Sequence, residues 1–458
     1  MPALAVTTLL IATGCSSSSP QDARPVADQS QQARTPEATA TAAADHSLSV
    51  AAAPAATATA AAGPAGSGRP AHRTTLKVSA YDNKTRRAVI STKKKPGSAS
   101  PSPGSSPAPR EAAVGDVIAS APAPGAPHGL LAKVTKVIGE TDAGTEVQTE
   151  PAALNSVLGD DTAKGTVPVD PAAFDVTKLL PDVKVSWSKT GDVHVGPKGA
   201  SVPLGSLRLD VSAEVPTAEG APVSAAASVS GFVQVAPQVD FKYGGAGTDA
   251  APGSAYLGVS GDWKSGWAVK GRAAASTAPL RIPFAKLHAD PVLQVGPVPV
   301  VVNLDLTCYF QISADGKVTV DVEQSLKGDF KAGGTFGAGK GWTPVSSSDM
   351  TSTPVRSTLT AAGNVKAALG AEASVGLYGT VGVSADLAPY LRGEAAGTVT
   401  ASSDTSGARF TGTWGLYGGV DLSGTLRLQL SIFGTPVFQR SIPLGALHRE
   451  WKLAGTGV

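Results

Sequence analysis

Two stretches of this chain alternate apolar and polar residues so regularly that only an extended backbone accounts for them. Across residues 365–387 the odd positions carry Val, Ala, Leu, Ala, Ala, Val, Leu, Gly, Val, Val, Ala and Leu. Lys366, Glu372, Ser374, Tyr378, Thr380, Ser384 and Asp386 occupy even positions. Across residues 416–432 the even positions are the apolar ones, and Asp421, Ser423, Thr425, Arg427, Gln429 and Ser431 face away. Side chains two apart share one face of a strand, and no helical wheel reproduces this pattern over such lengths. Both runs exceed an ordinary strand, so each is one very long strand or two strands joined by a tight Gly turn. Residues 304–313 and 317–324 alternate on either side of Ala314, Asp315 and Gly316, which predicts a hairpin with an Asp-Gly turn. In its first strand Leu304, Leu306, Cys308, Phe310 and Ile312 share a face. In its second, Val318, Val320 and Val322 point inward, with Thr319, Asp321 and Glu323 toward water.

Residues 74–165 read as a smaller unit. TLKVSAYD, RRAVIST, VGDVIAS, GLLAKVTKVIGE and TEVQTEP alternate as five strands, with a turn at Asp142, Ala143 and Gly144. Residues 93–112 (KKKPGSASPSPGSSPAPREA) read as a disordered insertion, and residues 152–158 as one or two helical turns. The expected fold is all-β: a small antiparallel domain, as a partly closed barrel, followed over 174–458 by a large extended antiparallel β-sandwich or barrel-like domain. Internal similarity supports this layout. GLYGTVGVSADL at 376–387 matches GLYGGVDLSGTL at 415–426. VPLGSLR, IPFAKLH and IPLGALH start at Val202, Ile282 and Ile442, each read as a strand with Pro at an edge or bulge.

Composition narrows the function. The chain has 458 residues and a formal charge of +2, so no strong field points to nucleic acid. Aromatic residues are 5% and charged residues 16%, which leaves Val, Leu and Ala to build the core. Frequent Gly (52) and Pro (35) favour turns and strands over long helices. Two cysteines exclude a disulfide scaffold. Cys308 reads as a small apolar core residue, with a Cys15–Cys308 bridge as the alternative.

Residues 3–11 (ALAVTTLLI) form an apolar run too short to cross a bilayer but of signal-peptide length. Ala12, Thr13, Gly14 and Cys15 follow, and then SSSSPQ. This segment resembles the lipobox of bacterial lipoproteins, although Ala12 stands where Leu, Val or Ile is usual and no Lys or Arg precedes the run. The resemblance implies that residues 1–15 are a signal peptide with Cys15 as the diacylated mature N-terminus. The protein would then sit on the extracellular face of the cell membrane, or be secreted if lipidation fails. Residues 16–73 are rich in Ala, Ser, Thr and Pro and read as a disordered tether reaching about 45 Å. GLLAKVTKV with QTEPAALNSVL, ahead of a Gly-rich region containing GPVPVVV at 296–302, resembles an uncharacterised family of secreted bacterial β proteins. Residue usage overall resembles that of GC-rich bacteria such as actinomycetes.

Candidate chemistry is sparse. GTFGAGKG at 334–341 has phosphate-loop spacing, but Gly341 stands where a Mg²⁺-binding hydroxyl is needed, within a β hairpin. His46, His72, His128, His194, His288 and His448 are scattered without metal spacing. No Gly-x-Ser-x-Gly elbow occurs. No catalytic residue, metal or cofactor is expected. Lys84, Arg86, Arg87, Lys93, Lys94 and Lys95 form a basic cluster, read either as edge-strand protection or as a contact for anionic wall polymers or lipid headgroups. Trp263 and Trp267, in DWKSGW, are expected around a Gly turn, either stacking on a sugar or closing a hairpin. The expected function is a lipid-anchored, non-enzymatic binding or structural module at the cell envelope. Its partners would be the membrane, through Cys15, and wall polymer, glycan or lipid. The alternatives are a carrier of lipid or another hydrophobic ligand in a curled-sheet groove, and a membrane β-barrel.

Overall fold

The structure is a computed structural model. It describes residues 45–47, 49–50, 59–62, 72–74, 76–92, 112–188, 194–196, 199–201, 206–215, 227–245, 252–273, 277–352, 356–402, 409–427, 430–433, 441–443 and 446–455. These belong to one compact unit, Ala43–Val458, and the fold is all-β at 79% strand and 4% helix. Cys15 and residues 93–111 lie outside the described residues.

The first elements are β1 (Asp45–Ser47), β2 (Ser49–Val50), β3 (Thr59–Ala62) and β4 (His72–Thr74). After them come β5 (Leu76–Asp82), β6 (Arg87–Thr92), β7 (Val117–Ser120), β8 (Leu130–Thr141) and β9 (Gly144–Pro151). Seven of these form a sheet in the order β4-β3-β7-β8-β9-β6-β5. The five strands and the turn expected here are all present, and one helical turn, α1 (Asn155–Leu158), follows. Strands β1 to β3 and the first two residues of β4 fall within residues 16–73, read from the sequence as a tether, and the rest of that segment lies outside the described residues. β3 pairs with β7, β1 with β10 and β2 with β19. An Ala-rich segment has no apolar stripe of its own, yet its backbone still supplies hydrogen bonds to an open sheet edge.

Among the described residues the second sheet has seventeen strands, β1 and β2 among them. Its first part comprises β10 (Thr162–Pro168), β11 (Asp175–Lys178), β12 (Lys184–Ser188), β15 (Ser206–Val215), β16 (Ala227–Gly244), β17 (Ser254–Ala273) and β18 (Thr277–Ala289). A separate hairpin pairs β13 (His194–Gly196) with β14 (Gly199–Ser201). The remainder comprises β19 (Val292–Val295), β20 (Val298–Gly337), β21 (Gly341–Ser352), β22 (Arg356–Leu377), β23 (Thr380–Ser402), β24 (Arg409–Arg427), β25 (Ser441–Pro443) and β26 (Leu447–Gly455).

β20 organises this sheet. Its 40 residues carry β18 and then β17 end to end along one side, from Leu304 to Gly337. On the other side β22 and then β21 do the same, from Val302 to Gly337. Strands this long must twist and curl, and the outcome is a half-barrel. The hairpin expected at Ala314–Gly316 is therefore not formed. Asp315 and Gly316 lie mid-strand opposite Asn364 and Gly363 of β22, whose continuous ladder outweighs the local turn preference.

Both long alternating runs resolve differently. The first is two strands: Leu377 pairs with Thr380 across a two-residue turn at Tyr378 and Gly379. Both turn residues have positive φ, 48° and 78°, as a hairpin turn matched to strand twist requires. Such a turn pairs odd with even positions, which would put the odd residues of the two strands on opposite faces. A bulge between Val375 and Gly376 shifts the register so that Val375 meets Val383 and Ala373 meets Ala385. The odd residues of both strands then face one core. The second run is a single long strand, β24, up to Arg427.

The main core gathers Leu304, Leu306, Cys308 and Phe310 with Leu369, Leu391 and Leu422, all buried. Val117, Ala119 and Leu131 of the seven-stranded sheet join it, while Ile118, Leu130 and Val134 fill that sheet's own core. β7 is buried on both faces for this reason.

Candidate functional site

The outward face of β18, β20, β22, β23, β24 and β26 carries a repeated unit of ring, glycine, cation and acid. Tyr309 lies opposite Gly370, and Tyr390 opposite Gly419, in register. Each ring lies flat across its glycine, so a Cβ at either glycine would collide with it. The guanidinium of Arg281 sits 3.6 Å over Tyr309, the ammonium of Lys366 3.7 Å over Tyr390, and Arg392 4.1 Å over Tyr417. Such stacking contributes roughly 0.5–2 kcal/mol each. Carboxylates then fix the cations. Arg281 donates to Glu372 (2.9 Å) and Asp386 (3.2 Å), Lys366 to Asp421 (2.7 Å), and Arg392 to Glu394 (2.7 Å) and Glu450 (2.6 Å). The phenols close the unit: Tyr309 donates to Asp386 (2.5 Å), Tyr390 to Glu450 (2.9 Å) and Tyr417 to Glu394 (2.7 Å). Hydrogen bonds from Arg392 hold the Glu450 carboxyl below its usual range. Burial raises that of Asp386 despite its hydrogen-bond donors.

At one end of this face, chain segments far apart in sequence meet. His128 comes from the loop between β7 and β8. His288 is near the end of β18, and Asp290 lies in the turn to β19. Nδ1 of His128 lies 3.3 Å from both Asp290 oxygens, and Nε2 of His288 lies 2.9 Å from Asp290 Oδ2. One ligand atom from each of the three residues lies within 4.8 Å of the other two. Nδ1 of His288 meets Asp305 Oδ1, its cross-strand partner, at 2.6 Å. Asn303 donates to Asp290 Oδ1 at 2.5 Å and accepts from the Gly379 amide of the β22–β23 turn. Partial burial opposes charge on His288, but the hydrogen bonds its ring donates to Asp305 and Asp290 prevail and raise its pKa. The histidines lack metal spacing along the sequence, yet the fold brings His128 and His288 together. Their separation along the chain hid the contact, which exists only because the seven-stranded sheet docks on the larger one.

The repeated IPFAKLH and IPLGALH elements acquire a meaning here. His288 pairs with Asp305 and His448 with Asp421, each Nδ1–Oδ1 distance being 2.6 Å. A register shift after Pro283 gives the expected bulge. Among the described residues the His448 copy has no counterpart of His128: its Nε2 faces the Tyr390 hydroxyl at 3.5 Å.

Trp263 and Trp267 are corrected outright. They lie inside continuous β17 and are 4% and 3% exposed, so neither can stack on a sugar. Alternation puts both on the inward face with Leu257 and Val259. Trp263 instead lines an apolar cleft of about 40 Å³ with Val233, Leu306, Phe330 and Leu369. Among the basic residues, Lys84 and Arg86 lie exposed on the β5–β6 turn, and Arg87 pairs with Glu146 at 3.2 Å. Lys93, Lys94 and Lys95 lie outside the described residues, as does Cys15. Cys308 is buried, which pushes its thiol up to about 12. GTFGAGKG is the β20–β21 hairpin, with Lys340 N bonded to Gly337 O at 3.0 Å.

No family model matches this chain, and no curated protein matches it either. Among the described residues, no helix is long and apolar enough to cross a membrane.

Proposed function

We propose that this chain is a non-enzymatic binding or structural module, held at the outer face of the cell membrane by lipid on Cys15. The observation that carries the reading is the mutual saturation of the outward face. Arg281, Lys366 and Arg392 are each held by a carboxylate and stacked on a tyrosine, an arrangement that stiffens a surface. The segment resembling a lipobox supplies the anchor, and the exposed Lys84 and Arg86 offer contacts for anionic wall polymer. The hydrophobic-carrier reading rests on the apolar cleft beside Trp263, whose Nε1 has no hydrogen-bond partner among the described residues. At about 40 Å³ that cleft is far below the several hundred Å³ of typical ligand pockets, so the sheets would have to part to admit an acyl chain.

The test is expression of the full chain with metabolic labelling by a palmitate analogue. Label and detergent-phase partitioning are expected, and both should vanish in Cys15→Ala. An unlabelled protein in the cytosol with a free thiol at Cys15 would refute the anchor. Native mass spectrometry showing a co-purified lipid in stoichiometric amount would favour the carrier instead.

A further inference from the structure

We propose that His128, His288 and Asp290 bind one divalent transition-metal ion of the zinc class. The site goes beyond the proposed envelope module and does not depend on the chain being lipidated. Zinc bound by imidazole nitrogen and carboxylate oxygen at about 2.0–2.1 Å requires ligand atoms roughly 3.3 Å apart in a tetrahedron. The His128–Asp290 and His288–Asp290 separations of 3.3 and 2.9 Å are already near that value.

The surrounding contacts are those a metal ligand needs. Ligating histidines are commonly oriented by a carboxylate on the other ring nitrogen. Asp305 does this for His288, leaving Nε2 directed at Asp290. Asn303 holds Asp290 Oδ1, so Oδ2 is the oxygen turned toward His288. All three ligands are partly exposed: 43%, 33% and 17% of the side-chain surface of His128, His288 and Asp290. Metal can therefore enter, and a fourth position stays open to water or to a donor from another molecule. Imidazole with carboxylate suits zinc, and also copper or nickel, over calcium or magnesium. Bound there, the ion ties the β7–β8 loop to the β18–β19 turn across 162 residues of chain and so clamps the two sheets together.

The internal repeat supplies a control. His448 has the same orienting carboxylate, Asp421, and Glu450 stands where Asp290 does, but Glu450 is taken up by Arg392 and Tyr390, and among the described residues the His448 Nε2 faces the Tyr390 hydroxyl instead of a second histidine. The full chain, made without a histidine tag and stripped with chelator, is dialysed against zinc and its bound metal measured by mass spectrometry. One ion per chain is expected, with a zinc-dependent rise in unfolding temperature. His128→Ala, in a surface loop, and Asp290→Asn should each weaken binding at least tenfold. Asp305→Asn should weaken it ten- to a hundredfold through the His288 ring. His448→Gln should bind as the parent does. Cobalt in place of zinc should give visible absorption that is lost in His128→Ala. Binding well below one ion per chain, a preference for calcium over zinc, or equal losses in His448→Gln and His128→Ala would overturn the proposal. Circular dichroism of each variant separates loss of the site from loss of the fold.

Discussion

Tyr309 shows how single residues set this surface. Its ring needs the space above a glycine across the strand, a cation above the ring and an acid for its hydroxyl; Gly370, Arg281 and Asp386 supply them. The Tyr390 unit repeats the arrangement with Gly419, Lys366 and Glu450. Because Glu450 titrates below its usual value near 4.5, its contribution is complete above that pH and fades as pH falls through the lowered value. Arg392, the main cause of that lowering, is only 22% exposed. In Arg392→Ala the unfolding temperature should drop at pH 7, and the gap from the parent should close as pH falls well below 4.5. A gap that is constant from pH 7 to 3 would show that charge is not what Arg392 contributes.

At the scale of elements, the β22–β23 hairpin joins fold to site. Its turn needs two residues of positive φ, its bulge restores the inward phase, and its Gly379 amide caps Asn303 beneath Asp290. Gly379, at φ 78°, tolerates no β-branched side chain without strain. Gly379→Val should therefore cost about 1–2 kcal/mol of stability, read as a shifted denaturant midpoint at unchanged slope. A variant as stable as the parent would mean the turn adopts another conformation. The unbroken odd-position pattern at 365–387 already required both strands to face one core, so the bulge was implicit in the sequence. The Asp-Gly at 315–316 misled because turn propensity is local, whereas the partner strand that keeps it extended lies some 50 residues away, at Asn364 and Gly363.

For the whole molecule, the decisive contact is the docking of the seven-stranded sheet. Val117, Ala119 and Leu131 enter the main core, Leu158 of α1 and Leu154 just before it lie beside them, and Leu154 N donates to Ile432 O. Unfolding should accordingly be a single transition, with fluorescence of the large-sheet tryptophans and backbone circular dichroism coincident in urea. Two separated transitions would mean that residues 74–165 fold independently of the rest.

Alternation along the chain was enough to establish the all-β class, the strands of the smaller sheet and the inward face holding Cys308, because a period of two depends only on neighbours in sequence. The repeated histidine slots were also visible there. Tertiary structure alone decided that β20 runs straight through an apparent turn, that Trp263 and Trp267 are interior, and that His128 meets His288 and Asp290. Each of those outcomes depends on which distant strand lies alongside, and pairing energy between remote segments leaves no periodic trace in the sequence.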